Sequence, residues 1–213
     1  MQLEEGRRDD SRINIRLGER GVGERNLPTL FAGFSGKGFA MSMDVLIDGL
    51  PDWAKDLRLN YSSLVRNNQD LTAEQLWGTV VSCAVATRNA KLTQAAVASA
   101  GAVVSATVVE AAKTAAAVMG MNNIFYRFQH LSTNEKYSTM PARLRMNGLR
   151  THGADPVDFE LWCLAVSAIN GCGKCVDAHE RVVREKGATE EVVMQVIRVA
   201  SVIHAIGPAV EAS

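Results

Sequence analysis

The chain has 213 residues, enough for one large domain or two small ones, and 47% of them are apolar, which supports a sizeable buried core. Basic and acidic residues balance at 23 each, so no bulk charge points to nucleic acid or an anionic membrane as a partner. Aromatics are only 6%, while alanine and valine abound; small side chains let helices approach closely, and the composition leans towards packed helices.

Residues 1–42 mix Glu, Asp and Arg with seven glycines and show no sustained periodicity. They read as a disordered extension without the apolar segment of a signal peptide. Met41 and Met43 follow at once, which suggests an over-long translation start. The expected compartment is the cytoplasm, where cysteines are seldom structural disulfides.

Beyond Met43 the pattern is helical almost throughout. Thr72 and Gln75 form a capping box that opens a helix carrying Leu76, Trp77, Val80 and Val81. An alanine-rich helix follows over Lys91–Ala100, and another from about Thr107 to Met121. The stretch from Ala95 to Val109 holds no charge, but it is short of the roughly 20 apolar residues a membrane span requires. It reads as buried helix. Asn134–Thr151 looks like a connection, and His130 and His152 fall in expected loops. Asp155 then sits as N-cap with Pro156 at the first helical position and Asp158 near the positive end of the dipole. That helix carries Phe159, Leu161, Trp162, Ala165, Val166 and Ile169 and weakens at Asn170-Gly171. A new helix runs from near Cys172 to Lys186-Gly187. The last starts near Glu190, buries Val192, Val193, Val196, Ile197, Ala200 and Ile203, and is expected to stop at Gly207-Pro208. QLWGTVVS (Gln75–Ser82) matches ELWCLAVS (Glu160–Ser167) at an offset of 85, which suggests two related helical halves over about 72–127 and 157–212. In that register Thr87 and Ala90 stand where the second copy has Cys172 and Cys175.

Of the four cysteines, Cys83 and Cys163 lie in apolar helices and read as small core residues, as Trp77 and Trp162 read as large ones. His204 reads as structural. Cys172 and Cys175 are spaced like a functional pair. Asn170-Gly171 places Cys172 at a helix N-terminus, where unpaired N–H groups and the dipole favour an anion. A thiol with the ordinary pKa of about 8.5 is only ~3% ionised at pH 7, and a pKa near 7 raises that to roughly half. Cys175 follows one turn later. His179, four residues on, can lie ~5–6 Å from it at Cβ and take its proton or stabilise its thiolate. Glu160, on an otherwise apolar helix, needs a partner; His179 serves if the two helices pack antiparallel. The competing readings are a first-turn helix acid for Glu160 and a zinc site for the cysteines. For the second, C-x-x-C-x-x-x-H offers three ligands where a structural zinc needs four, and no second C-x-x-C exists.

The segment Glu160-Leu161-Trp162 followed by AVSAINGC-x-x-C-x-x-AHE resembles the alkyl hydroperoxidase D (AhpD) family, within the carboxymuconolactone decarboxylase-like superfamily. LPDWAKDLRLN (Leu50–Asn60), EQLWGTVV, AAAVMGMNNIFYR (Ala115–Arg127) and LRMN (Leu144–Asn147) are similar to that family too, in order, from about Met43 to the C-terminus. The resemblance implies an all-α fold of two related halves, a homotrimer, and no bound cofactor or metal. It implies reduction of organic hydroperoxides and of a partner peroxiredoxin, AhpC. Electrons would come from the dihydrolipoyl group of a lipoylated acyltransferase subunit, recharged by dihydrolipoamide dehydrogenase. Carried over motif to motif, Cys175 forms the sulfenic acid and the mixed disulfide with the peroxiredoxin. Cys172 is proton donor and resolving cysteine, the two close a redox disulfide, and Glu160 and His179 form a proton relay. The best-known members have histidine immediately before the second cysteine. Here it is Lys174, which removes a histidine-dependent relay at that position but can still favour a thiolate. A dedicated protein disulfide reductase, a metal-binding or structural module, and the lactone-acid decarboxylation of the wider superfamily, which needs no cysteine pair, are the alternatives.

Overall fold

The computed structural model describes residues 41–213, so the expected extension, residues 1–42, lies almost wholly outside the described residues. Within them there are ten helices and no strand. They are α1 (Met43–Asp48), α2 (Lys55–Tyr61), α3 (Ala73–Ala86), α4 (Ala90–Gly101), α5 (Ala106–Leu131), the single turns α6 (Lys136–Thr139) and α7 (Gly148–Thr151), α8 (Pro156–Ile169), α9 (Gly173–Glu185) and α10 (Glu190–Glu211). The all-α expectation is met.

Local chemistry explains the starts. Thr72 and Gln75 make a reciprocal capping box on α3. Asp155 accepts from the Val157 and Asp158 amides to open α8, with Pro156 as its first residue. Asn89, Ser105 and Thr189 cap α4, α5 and α10 in the same way.

Two boundaries differ from the sequence expectation. Helix α5 runs ten residues past Met121 to Leu131, so His130 is an exposed residue of its last turn and not a loop residue. Apolar periodicity fades there because the inward positions are polar, namely Asn122, Asn123 and Gln129. Helix α10 continues through Pro208 to Glu211. Proline costs one intrahelical bond. Against that, Ala209 and Val210 are buried, and the Asn89 amide donates to the Gly207 carbonyl and to the Glu211 carboxylate at 2.8 Å. The uncharged stretch from Ala95 to Val109 is broken between Gly101 and Ala106 and forms parts of two helices. Helix α10 alone among the described helices is long and apolar enough to cross a membrane by length and composition; half of its most apolar window is buried in the bundle.

The core lies between α3 and α8, which pack on each other, with α10 and α5 closing over them. The closest approach is at Gly78. A Cβ there would stand 2.1 Å from the indole of Trp162, which is fully buried and donates to the Gln75 carbonyl at 3.3 Å.

Helices α3–α4–α5 and α8–α9–α10 repeat one arrangement. Both α3 and α8 have fourteen residues and start 83 residues apart, and their buried positions, 76 and 78–84 against 159 and 161–167, coincide at that same shift. Each ends in a left-handed residue, Arg88 (φ 62°) and Gly171 (φ 66°), followed by the N-cap of the next helix, Asn89 and Cys172. The structural register is therefore 83, not the 85 of the QLWGTVVS/ELWCLAVS match. Asn89 and Leu92, rather than Thr87 and Ala90, occupy the places of Cys172 and Cys175.

Gly78→Ala should lower stability by about 1–3 kcal/mol or more, because the indole has no room to retreat. Gly101→Ala, with nothing within 4 Å of the added carbon, should be neutral or stabilising. Thermal unfolding of the two variants beside the parent measures the contrast.

Candidate functional site

Helix α8 ends at Asn170, and Gly171 turns the chain back in the left-handed conformation that glycine adopts without a Cβ penalty. Cys172 is the N-cap of α9. Its amide donates to the Ser167 carbonyl at 3.1 Å, and its own carbonyl accepts from Cys175 and Val176. Unlike Asn89 in the first unit, it makes no side-chain cap bond. Helix α9 lies against α8 and α5 and turns inward one narrow stripe, buried Cys172, Cys175 and Val183 with half-buried His179, while most of its remaining surface is polar or charged. Both thiols are free and buried, as are those of Cys83 and Cys163 in the core.

Glu160 faces this stripe from α8. Its Oε2 lies 2.6 Å from His179 Nδ1, with both side chains largely sheltered. His179 Nε2 points not at Cys175 but at the sulfur of Met119 on α5, 3.2 Å away. Met119 Sδ is also approached by Ser167 Oγ at 3.5 Å and Asn123 Nδ2 at 3.8 Å. Asn123 in turn donates to Ser167 Oγ (2.9 Å) and accepts from the Asn170 amide (2.9 Å), and Arg127 donates to the Asn170 carbonyl. This network ties α5 to the α8–α9 turn and supports the cysteines from behind.

Electrostatics at Cys175 run opposite to the dipole argument. Burial pushes its thiol up to about 12; the hydrogen bond with Cys172 adds to the rise, and one with Asn123 and the charge of Lys174 counter it. Removing the thiolate from water outweighs what a helix terminus supplies, which is no more than a pKa unit or so. Lys174 is exposed; its ammonium rests 5.4 Å over the Tyr126 ring and 3.5 Å from Gln129 Oε1.

A cavity of about 240 Å³ opens against Cys175, with Met119, Asn122, Tyr126, Leu149, Lys174 and His179 among its lining residues. Its walls are overwhelmingly apolar. The sequence offered no role for Met119, Asn122, Asn123, Tyr126 or Ser167. The one available signal was two adjacent asparagines in an otherwise apolar helix. His204 is exposed and lines a separate cavity with Arg88 and Glu211. His152 stacks on Phe159 at 3.8 Å, and burial holds its imidazole below the usual range. Among the described residues no group of three or more His, Cys, Asp or Glu is disposed to hold a metal ion.

Comparison with known proteins fits this geometry. The carboxymuconolactone decarboxylase family profile matches residues 135–213, which contain the whole α8–α9 hairpin. The chain is 66% identical over 172 residues to the alkyl hydroperoxide reductase AhpD of Acidobacterium capsulatum, covering 81% of this chain and 94% of that protein. It is 60% identical over 166 residues to the AhpD of Koribacter versatilis, covering 78% and 86%. Against the AhpD of Brucella anthropi it is 53% identical over 173 residues, covering 81% and 98%. At such identity over nearly the full length of these relatives, the chain belongs to the AhpD family of the carboxymuconolactone decarboxylase-like superfamily.

Proposed function

We propose that the chain is an alkyl hydroperoxide reductase that works as a thiol peroxidase through Cys172 and Cys175. The observation that carries this reading is two free thiols beside a Glu160–His179 hydrogen bond, with Cys175 and His179 on the wall of an apolar cavity. The relatives that bear the name alkyl hydroperoxide reductase support it.

The Cys175 sulfur attacks the terminal oxygen of the hydroperoxide. An S–O bond forms, the O–O bond breaks, and the thiol proton is passed to the departing alkoxide, leaving a sulfenic acid and an alcohol. Burial raises the Cys175 pKa, so little free thiolate is present at pH 7 and we take proton removal to accompany attack. We assign that transfer to His179, oriented and charge-balanced by Glu160. Because Nε2 faces Met119, the proton travels through the ligand in the cavity or after a turn of the ring, not across a direct contact. Cys172 then condenses with the sulfenic acid, releasing water and closing the Cys172–Cys175 disulfide. A dithiol reopens it by exchange. The donor we propose is the dihydrolipoyl group of a lipoylated acyltransferase subunit, recharged by dihydrolipoamide dehydrogenase. Peroxiredoxin AhpC is the partner that Cys175 reduces through a mixed disulfide. Lys174 serves as a mild stabiliser of the thiolate. Such a cycle belongs in the reducing cytoplasm.

We place the activity in residues 43–213. The exposed apolar residues Phe128, Leu131, Tyr137 and Met140, at and beyond the end of α5, supply a face for the proposed homotrimer. The narrower reading is a dedicated protein disulfide reductase, whose attack on a partner's disulfide needs the same Cys175 thiolate. Hydroperoxide consumption by the dithiol form without any peroxiredoxin separates the two readings.

Cys175→Ser should abolish hydroperoxide turnover and the mixed disulfide. Cys172→Ser should permit one oxidation and then stall, because its sulfenic acid has no resolving thiol. A sulfenic-acid probe followed by mass spectrometry reads this, and labelling at Cys172 in the first variant would reverse the assignment.

Glu160→Gln and His179→Gln should each lower kcat/KM at pH 7 by about 10²-fold, the usual worth of a positioned base. With the relay gone, only pre-formed thiolate reacts. The Cys175 pKa is raised, so that fraction grows about tenfold per pH unit from pH 7 towards 11. The variants should therefore regain activity as pH rises, while the parent profile is flatter. The double variant should be little worse than either single one. A Glu160→Gln protein that matches the parent at every pH would confine the relay to His179.

A further inference from the structure

We propose that the Asn122 carboxamide anchors the peroxide group of the substrate in the cavity and aims its terminal oxygen at Cys175; the inference rests on the peroxidase reading above and adds a specificity-determining residue to it. Asn122 is only 4% exposed, lines the cavity beside Cys175, and its Oδ1 is buried without a hydrogen-bond partner among the described residues. Its neighbours on α5 are fully engaged. Asn123 bonds Ser167 and Asn170, and Gln129 bonds the carbonyls of Tyr137 and Met140. A buried carbonyl left unpaired costs about 1–3 kcal/mol.

The scaffold does not ask for a polar group there. α5 and α10 begin 84 residues apart, which puts Asn122 opposite Ile206, a fully buried apolar residue. An isoleucine serves the fold where α10 packs on α3, and an unpaired amide stands at the equivalent place on α5, which packs on the α8–α9 hairpin that holds the thiols.

The chemistry the amide fits is that of a hydroperoxide, R–O–O–H. The terminal O–H needs an acceptor, and a carboxamide oxygen accepts without taking the proton. When sulfur attacks, the S–O bond forms as O–O breaks, and the thiol proton goes to the alkoxide R–O⁻. The proton of the original O–H stays on the transferred oxygen and becomes that of Cys175–S–OH. One acceptor can hold that O–H before and after transfer, so it orients the reacting atom without entering the proton balance. The last side-chain torsion of asparagine is soft, so the oxygen can turn to a bound ligand at small cost. The Tyr126 ring, Met146 and Leu149 supply apolar wall for the R group.

The test compares the parent with Asn122→Leu, with Asn122→Ala as the second variant should the first not fold. Three quantities are measured in the full chain: kcat/KM for cumene hydroperoxide with a small dithiol as reductant, the rate at which the reduced protein reacts with a small aromatic disulfide, and the melting temperature. The anchor predicts a loss of about tenfold or more in kcat/KM, as expected when a site loses a bond to a substrate O–H. It predicts a disulfide reaction within about twofold of the parent, since that reagent has no O–H to hold, and an equal or higher melting temperature because a buried unpaired carbonyl is gone. A variant that melts higher and still reduces the hydroperoxide at the parental rate overturns the inference and leaves the peroxidase reading standing. Equal losses with hydroperoxide and disulfide overturn it as well, since the defect then lies in the thiols. A parent protein that consumes no hydroperoxide overturns both.

Discussion

The left-handed turn at Gly171 is the constraint on which the site depends. It ends α8, reverses the chain within three residues and sets the phase of α9, so that the stripe Cys172–Cys175–His179–Val183 faces inward. From that phase alone His179 comes level with Glu160, one side chain from each arm of the hairpin. A small error in phase would carry the histidine away from the carboxylate and the thiols towards solvent. A non-glycine residue can hold the turn, as Arg88 does at the equivalent point of the first unit, but at a steric cost of roughly 1–2 kcal/mol.

The same phase creates the tension in the chemistry. A helix packed on a core normally spends its inner positions on aliphatic side chains. Here they hold two thiols and an imidazole, and all of them leave water. Desolvation penalises the charged form of whatever it buries, which is why Cys175 ends near 12 although it sits one turn from a helix N-terminus with a lysine beside it. The ion-stabilising groups, Asn123 and Lys174, reduce the penalty without reversing it. Under the proposed mechanism such a thiol depends on a base delivered during the reaction, and the half-buried Glu160–His179 pair is the group we assign to that task.

Much of this was legible in the sequence because it is local. Caps are set by the residue at one position and its neighbour three along, so Thr72–Gln75 and Asp155–Pro156 placed α3 and α8 correctly. The spacing of Cys172, Cys175 and His179 fixes a shared helical face regardless of what packs on it. What escaped depends on contacts distant in sequence. The length of α5 was hidden because its inner face turns polar at Asn122 and Asn123, and the partners of Asn123 lie in the α8–α9 turn some 45 residues away. The continuation of α10 through Pro208 depends on Asn89, 118 residues earlier. Met119 reads as a core methionine until the structure sets His179 Nε2 against its sulfur. The burial that raises the Cys175 pKa is of the same kind: a dipole can be read from a helix start, whereas burial cannot.

The 83-residue register shows how the site was fitted into a scaffold that does not need it. In that register Glu160, Cys172, Cys175 and His179 stand opposite Trp77, Asn89, Leu92 and Ala96. Met119 and Asn122, in the 84-residue register of the third helices, stand opposite Ile203 and Ile206. These counterparts, on α3, α4 and α10, are the solution that stability favours. Asn89 accepts from the Leu92 amide as a proper cap, and Leu92, Ala96, Ile203 and Ile206 are all fully buried aliphatic residues. At the matching positions on α5, α8 and α9 stand an N-cap without a capping oxygen, an acid–imidazole pair, a thiol whose pKa burial raises and an amide oxygen with no partner. Each departure costs on the order of 1 kcal/mol or more, and none improves packing. Of these groups, Asn122, Cys175 and His179 line one cavity, and Glu160 is tied to it through His179. They come from α5, α8 and α9, three helices that pack on one another, and their grouping around Cys175 is what the proposed chemistry at that sulfur asks for.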